Sequence, residues 1–373
     1  MAAGKTALAA SGRTRPVIRQ GQKIRVLVVD DSVVMRRLIK HALEQDPVLE
    51  VVGTAADGAI ALQRIPQVNP DVVTLDVEMP VMDGLDTLRY IRQQYPNLCV
   101  IMFSTLTERG ASTTLDALLL GANDYVTKPS NEGSLDRSMA RLQQELVPKI
   151  HQFFDVEDRV AAPAPAPVPA ILKPASVRQP GLRRPRSIVA IGVSTGGPTA
   201  LGEIMKLFPK DFSLPILIVQ HMPPLFTQLL AERLQTRCQL PVAEAKEGVL
   251  VEPGKVLIAP GNYHMRLAKK GLNVHVTLDQ APPENSCRPA VDVMFRSVSD
   301  VYGAATIGIV LTGMGYDGLR GAEQLKANGA YIIAQDRESS TVWGMPGAVA
   351  EAGLADAVVS LNSVVPEILR QVH

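Results

Sequence analysis

SIVAIGVSTGG (187–197) is a run of β-branched and apolar residues that ends in Ser194-Thr195-Gly196-Gly197. Six uninterrupted apolar or small residues, Ile188–Val193, followed by Ser-Thr-Gly-Gly read as a buried strand that spills into a turn and then a helix. Two later runs have the same form, LPILIVQHMP (214–223) and IGIVLTGMGYDG (307–318). Each ends on a residue with chemistry to offer: Ser194, His221 and Asp317. In an open parallel α/β sheet, sites are built at the carboxyl ends of strands. Further strands are expected at KVLIAP (255–260), YIIAQD (331–336) and ADAVVSL (355–361), with helices in most gaps. The exception is 255–279. Its short alternating pattern and its turns at Gly261-Asn262 and Lys270-Gly271 suit antiparallel hairpins rather than a crossover helix.

The N-terminal half repeats the alternation with a different set of residues. Strands are expected at IRVLVVDD (24–31), LEVVGTA (49–55), DVVTLD (71–76), CVIMFS (99–104) and NDYVTKP (123–129). Helical patterns fall near 33–46, 58–66, 84–94, 111–120 and 134–152. The fold class is therefore α/β, with two doubly wound parallel-sheet domains. The first is flavodoxin-like. The second is larger and Rossmann-like, with an antiparallel hairpin region. Between them AAPAPAPVPA (161–170) forbids a regular helix and favours polyproline II. The expected division is a disordered arm at 1–22, a first domain at 23–150, a Pro/Ala-rich linker at 151–186 and a second domain at 187–373.

Composition narrows the function. The chain has 373 residues, is 46% hydrophobic and carries a formal net charge of +1, so it folds as globular protein and lacks the basic excess of a nucleic-acid binder. Its three cysteines, Cys99, Cys238 and Cys287, have no metal-ligand spacing and point to a reducing compartment. No run approaches the ~20 apolar residues of a membrane span, and the N-terminus has no signal-peptide core. A cytoplasmic location, no membrane insertion and a monomer are expected.

Gly192-Val193-Ser194-Thr195-Gly196 matches the G-x-S-x-G nucleophile elbow. The N–H groups of Thr195, Gly196 and Gly197 open the next helix and are candidates to hold an oxyanion, with Met314 in the third loop as a second candidate. Of six histidines, only His221 directly follows a buried strand. His264 and His275 fall in the hairpin region. Ser194 as nucleophile, His221 as general base and Asp317 as its orienting carboxylate make a hydrolase that needs no cofactor for the hydrolytic step. The bland readings are a phosphate-binding turn, a packed histidine and a helix cap. The order Ser…His…Asp also differs from the Ser…Asp/Glu…His of α/β-hydrolases.

In the first domain Asp30, Asp31, Asp76, Ser104 and Lys128 all lie at strand ends on one sheet edge. Crowded carboxylates call for a cation, and oxygen-only ligands select a hard one such as Mg²⁺. This pattern resembles the receiver domain of two-component response regulators across 24–145. The resemblance implies that Asp76 is the phosphoacceptor and that Asp30, Asp31, Asp76 and the backbone carbonyl of Glu78 hold Mg²⁺. It also implies that Ser104 and Tyr125 are switch residues and that Lys128 pairs with the phosphoryl group. STGGPTA, QHMP and LTGMGYDG resemble the catalytic domain of chemotaxis protein-glutamate methylesterases across about 187–370. That family hydrolyses glutamate methyl esters on chemoreceptors, deamidates receptor glutamines and takes phosphate from a chemotaxis histidine kinase. A response regulator with a C-terminal binding module, and a small-molecule esterase, are the alternatives.

Overall fold

The computed structural model describes residues 16–19, 21–105, 107–128, 135–156 and 185–372. In the first half the elements run β1 (Val17–Ile18), β2 (Ile24–Val29), α1 (Val33–Glu44), β3 (Leu49–Ala55), α2 (Gly58–Val68), β4 (Val72–Asp76), α3 (Gly84–Gln94), β5 (Cys99–Ser104), α4 (Glu108–Leu119), β6 (Asp124–Thr127), α5 (Leu135–His151) and β7 (Asp155–Val156). Strands β2 to β6 form a parallel sheet in the order β3-β2-β4-β5-β6. β2 and β4 are almost wholly buried, as strands covered on both faces must be. The residues after strand ends start the helices. Ser32, Asp57 and Thr107 each accept a backbone N–H of the first turn, at 3.3, 2.8 and 3.1 Å.

The second half runs β8 (Ile188–Val193), α6 (Gly197–Met205), β9 (Ile216–Gln220), α7 (Phe226–Gln235), β10 (Val242–Glu244), β11 (Val256–Ile258), β12 (His264–Lys270), β13 (Asn273–Asp279), α8 (Val291–Tyr302), β14 (Thr306–Val310), α9 (Leu319–Ala327), β15 (Tyr331–Gln335), α10 (Met345–Glu351), β16 (Ala357–Val359) and α11 (Leu361–Val372). Seven strands form one parallel sheet in the order β10-β11-β9-β8-β14-β15-β16, and β12-β13 is an antiparallel hairpin. The chain winds one way from β8 to β9 and returns on the other side at β14. The strand order therefore reverses beside β8, which is where α/β sheets open a crevice.

Three expectations change. The antiparallel region is smaller than 255–279, because Val256–Ile258 insert in parallel between β9 and β10. All three residues are buried, the pattern of an interior strand, while the half-exposed HMRLAKK of β12 suits a hairpin. The arm does not extend through residue 22: Val17–Ile18 pair in parallel with Asp155–Val156, and Ile18 is buried with Ile24, Leu146, Ile150, Phe153 and Phe154. The linker does not begin at 151, because His151 ends α5 with its ring 2.9 Å from Asp46 and the two phenylalanines pack behind it. Burial of these apolar side chains outweighs the polar character of their neighbours. Residues 1–15 and 20 of the expected arm, and the linker from 157 to 184 with its Pro/Ala stretch, lie outside the described residues.

The two sheets' helices meet. α4 packs on α6 and α7, and one apolar cluster runs from Leu115 and Tyr125 to Leu201 and Phe226. Tyr125 stacks on Phe226 with ring centroids 4.9 Å apart. Among the described residues, no helix is long and apolar enough to cross a membrane.

Candidate active site and receiver site

Ser194 and His221 stand one residue past a registered pair, Val193 and Gln220, on neighbouring strands β8 and β9. The loop after β14 lies on the other side of β8. Ser194 N–H donates to Thr312 O at 3.0 Å, and Gln220 Nε2 donates to Ser194 O at 3.0 Å, so the nucleophile's backbone is held from both flanks. The approach is close. A Cβ at Gly313 would stand 2.8 Å from Ser194 Cβ, so only glycine lets the third loop pass. Gly196 has φ +79°, and α6 begins at the next residue. Ser194 N–H is already committed. The N–H groups of Thr195 and Met314 have no acceptor among the described residues and remain available.

Asp317 is buried and accepts from His221 Nε2 at 2.8 Å. The imidazole's Nδ1 lies 3.5 Å from Cys287 Sγ. No hydrogen bond joins Ser194 Oγ to His221 among the described residues; catalytic bonds of this kind often tighten only with substrate present. Burial alone would lower the imidazole's pKa, but the bond to Asp317 and the nearby Cys287 outweigh it and hold the group above the ordinary histidine value. Burial would raise Asp317, but His221 and the N–H groups of Val291 and Asp292 pull it below the usual carboxylate range.

His264 has a different task. Its Nε2 meets Pro282 O at 3.1 Å, and its Nδ1 accepts Ala290 N–H at 3.3 Å, so it braces both ends of the 282–290 loop. That loop carries residues the strand-end logic passed over. Asn285 reaches Asp317, and Cys287 reaches His221.

At the other sheet edge, one oxygen each from Asp30, Asp31 and Asp76 lies within 4.8 Å of the others. Lys128 Nζ sits 2.9 Å from Asp30 Oδ2 and 2.7 Å from Asp76 Oδ2. Burial, with Asp30 adding to it against the pull of Lys128, pushes Asp76 up to about 6. Glu78 N–H points at Asp76 Oδ1 at 3.4 Å, while its carboxylate faces Arg109 at 3.5 Å. An open cleft of about 400 Å³ lies over the cluster, lined by Asp31, Glu78, Asp83, Arg109 and Thr113 among others. Ser104 is fully buried with Oγ donating to Thr105 O at 3.0 Å. Tyr125 lies away from this cleft, in the contact with Phe226.

Residues 26–140 match the model of the response regulator receiver domain, and residues 189–368 match that of CheB methylesterase. A protein of Trichodesmium erythraeum named protein-glutamate methylesterase/protein-glutamine glutaminase is 51% identical over 351 residues, covering 94% of this chain and 99% of its own. The chain belongs to the protein-glutamate methylesterase/protein-glutamine glutaminase family. A relative of the same name from Nocardioides is 49% identical, covering 93% of this chain and 95% of its own. The CheB methylesterase catalytic domain of Thermotoga maritima, a crystal structure, is 43% identical over 50% of this chain and 98% of that one, with a TM-score of 0.49.

Some contacts involve residues outside both motif sets. Asp124, at the start of β6, accepts from Lys149 Nζ at 2.9 Å and from Gln152 Nε2 at 3.1 Å. Its Oδ2 also accepts from Thr195 Oγ1 at 3.0 Å, across the domain boundary. The residue beside the expected nucleophile is thus hydrogen-bonded to the receiver. Only the close approach of the two domains creates this contact, so neither domain's own pattern signals it.

Proposed function

We propose that this protein is a phosphorylation-controlled serine hydrolase that demethylates glutamate methyl esters on chemoreceptors, releasing methanol, and deamidates receptor glutamines. The observation that carries the reading is the convergence of Ser194, His221 and Asp317 on adjacent strand ends, with the His221–Asp317 bond formed at 2.8 Å. Asp317 takes the Nε2–H, which leaves Nδ1 as the basic nitrogen. Cys287 Sγ is only a weak partner at 3.5 Å, and a serine hydroxyl displaces it from that nitrogen. Ser194 Oγ attacks the side-chain carbonyl as its proton passes to His221. Developing negative charge on the substrate oxygen meets the N–H groups of Thr195 and Met314, near the amino end of α6. The imidazolium, stabilised by Asp317, returns the proton to the departing methanol or ammonia. Water then repeats the sequence on the acyl-enzyme.

The receiver supplies control. The donor set of Asp30, Asp31 and Asp76 is all oxygen and tightly grouped, which fits Mg²⁺, and the carbonyl of Glu78 is the fourth ligand on this reading. Bound there, Mg²⁺ neutralises carboxylate and phosphoryl charge. Asp76 is the phosphoacceptor, Lys128 pairs with the phosphoryl oxygens, and Ser104 and Tyr125 respond to it. The donor is a histidine kinase, and the protein acts in the cytoplasm. In the docked arrangement α4 covers α6 and α7, and Thr195 is bonded to Asp124. Phosphorylation favours the undocked form. The test is methanol release from methylated receptor membranes, with and without a small acyl-phosphate donor. No release under either condition would refute the reading. Ready turnover of simple nitrophenyl esters with none from receptors would favour a small-molecule esterase.

A further inference from the structure

We propose that Asn285, backed by Asp292, is a positioning residue that fixes the carboxylate of Asp317 and, through it, the plane of the His221 ring. The inference rests on the triad reading above.

Asp317 is held by five donors. Its Oδ2 accepts from His221 Nε2 at 2.8 Å and from Val291 N–H at 2.7 Å. Its Oδ1 accepts from Asp292 N–H and Gly318 N–H, both at 3.0 Å, and from Asn285 Nδ2 at 2.9 Å. Apart from His221, Asn285 is the one side chain among these donors. The second hydrogen of the same Nδ2 goes to Asp292 Oδ2 at 2.9 Å. One amide nitrogen therefore spans two buried carboxylates, and both of its hydrogens are fixed.

Asp292 is fully buried and is anchored in turn. Its Oδ1 accepts from Gly318 N–H at 3.0 Å and from Gly321 N–H at 2.6 Å, at the amino end of α9. Gly318, where α9 starts, has no side chain with which to cap it, so Asp292 does that from α8. The loop and both helices converge on the segment that carries Asp317. Burial and the nearby charge of Asp317 push Asp292 up to about 6. Two carboxylates this close need a donor between them to settle their relative orientation, and Asn285 Nδ2 is that donor.

The loop is built to aim this side chain. Asn285 and Ser286 have φ values of +52° and +63°, in the left-handed region that asparagine tolerates better than most residues. Glu284 and Cys287 close the turn with paired backbone bonds of 3.1 and 2.9 Å. Arg296 clamps Glu284 through two bonds of 2.7 and 2.5 Å. Backbone strain of this kind persists only where the surroundings impose it. Two residues after Asn285, the same loop brings Cys287 to the other nitrogen of His221. The loop thus bears on both ends of the His–Asp pair, and a loose carboxylate would let the imidazole swing away from Ser194.

The test compares full-length Asn285→Asp and Asn285→Gly with the wild type and with Ser194→Ala, by methanol release from methylated receptor membranes. Asn285→Asp keeps the size and removes the donor hydrogens. Asn285→Gly suits the left-handed backbone better than asparagine and removes the side chain. Both should lose about 10²-fold in kcat, with KM within about twofold of wild type, as expected for a misplaced catalytic group. The low-field proton resonance of the His221–Asp317 bond should broaden or vanish in both. If Asn285 only shapes the turn, Asn285→Gly keeps full kcat and the resonance, and the inference is overturned. Should Asn285→Asp fail to fold, Asn285→Gly alone decides. Full activity of Ser194→Ala would overturn the triad and this inference with it. An inactive Ser194→Ala alongside fully active Asn285 variants would overturn the inference alone.

Discussion

Removing the Arg233 side chain should raise the hydrolase activity of the unphosphorylated full-length protein. Arg233 lies in the last turn of α7 and reaches α4 of the receiver. Its Nε meets Asp116 Oδ1 at 2.9 Å, and its Nη2 meets Asp116 Oδ2 at 3.2 Å and Ser112 Oγ at 2.8 Å. It touches none of Ser194, His221 or Asp317 among the described residues, so any effect on turnover must pass through docking. The two charged side chains keep 35% and 41% of their exposure, so solvent screens the pair. Its worth is then about 0.5–1 kcal/mol, with the two-pronged geometry favouring the upper end. Where the docked form dominates, about 1 kcal/mol enlarges the undocked share roughly fivefold. Basal methanol release by Arg233→Ala should therefore rise roughly two- to fivefold, while the fully phosphorylated rate stays at the wild-type value. Asp116→Ala should match it, and the double variant should add little, because both remove the same contact. Unchanged or lower basal activity in both single variants, with native circular dichroism, would refute the idea that docking inhibits.

Ser194→Ala should lose at least ~10⁴-fold in kcat, measured by the same release assay, because nucleophile and base act as one unit. Asp76 should take up phosphate from acetyl phosphate only with Mg²⁺ present, and intact mass should show none on Asp76→Asn. His221 must be neutral to accept the Ser194 proton. Its raised pKa therefore places the acid limb of kcat/KM above pH 6.5. Cys287→Ala, which removes one of the groups holding that pKa up, should move the limb to lower pH. A fragment beginning at Arg186 should fold alone and, without phosphate, release more methanol per molecule than the full-length protein.

The positions of Ser194, His221, Asp317, Asp30, Asp76 and Lys128 were legible because each follows a buried apolar run, and strand ends are a one-dimensional signal. The cysteine, asparagine and second aspartate near His221 were not. Cys287, Asn285 and Asp292 follow a hairpin, and a hairpin carries no rule for where the next loop will fold. The boundaries of the antiparallel region differ from the sequence pattern for a related reason. Three buried residues, Val256–Ile258, are too short a run to show periodicity, and only their neighbours β9 and β10 settle that they join the parallel sheet. Val17–Ile18 are similarly indistinct, a pair of apolar residues whose partner lies at 155–156. Asp124 and Gln152 acquire their contact with Thr195 only when two domains meet, so neither domain's pattern could mark them.

β6 explains how an event at Asp76 reaches Ser194's neighbour. The strand is four residues, Asp124–Thr127, so it spans about 13 Å at the usual rise. Lys128 follows its carboxyl end and holds Asp76. Asp124 and Tyr125 begin it and hold Thr195 and Phe226. Lys149 ties the start further, bonding Tyr125 O at 2.6 Å as well as Asp124. On the proposed reading, a phosphoryl group on Asp76 competes for Lys128 at one end of β6, and the docking contacts sit at the other. Those contacts are polar at Thr195, apolar at Phe226 and partly solvent-exposed at Arg233, so they can be perturbed separately. Thr195 stands where the two proposed roles meet: its hydroxyl bonds Asp124 at 3.0 Å, and its backbone N–H is the proposed oxyanion donor. On that mechanism, docking constrains a residue that catalysis also uses.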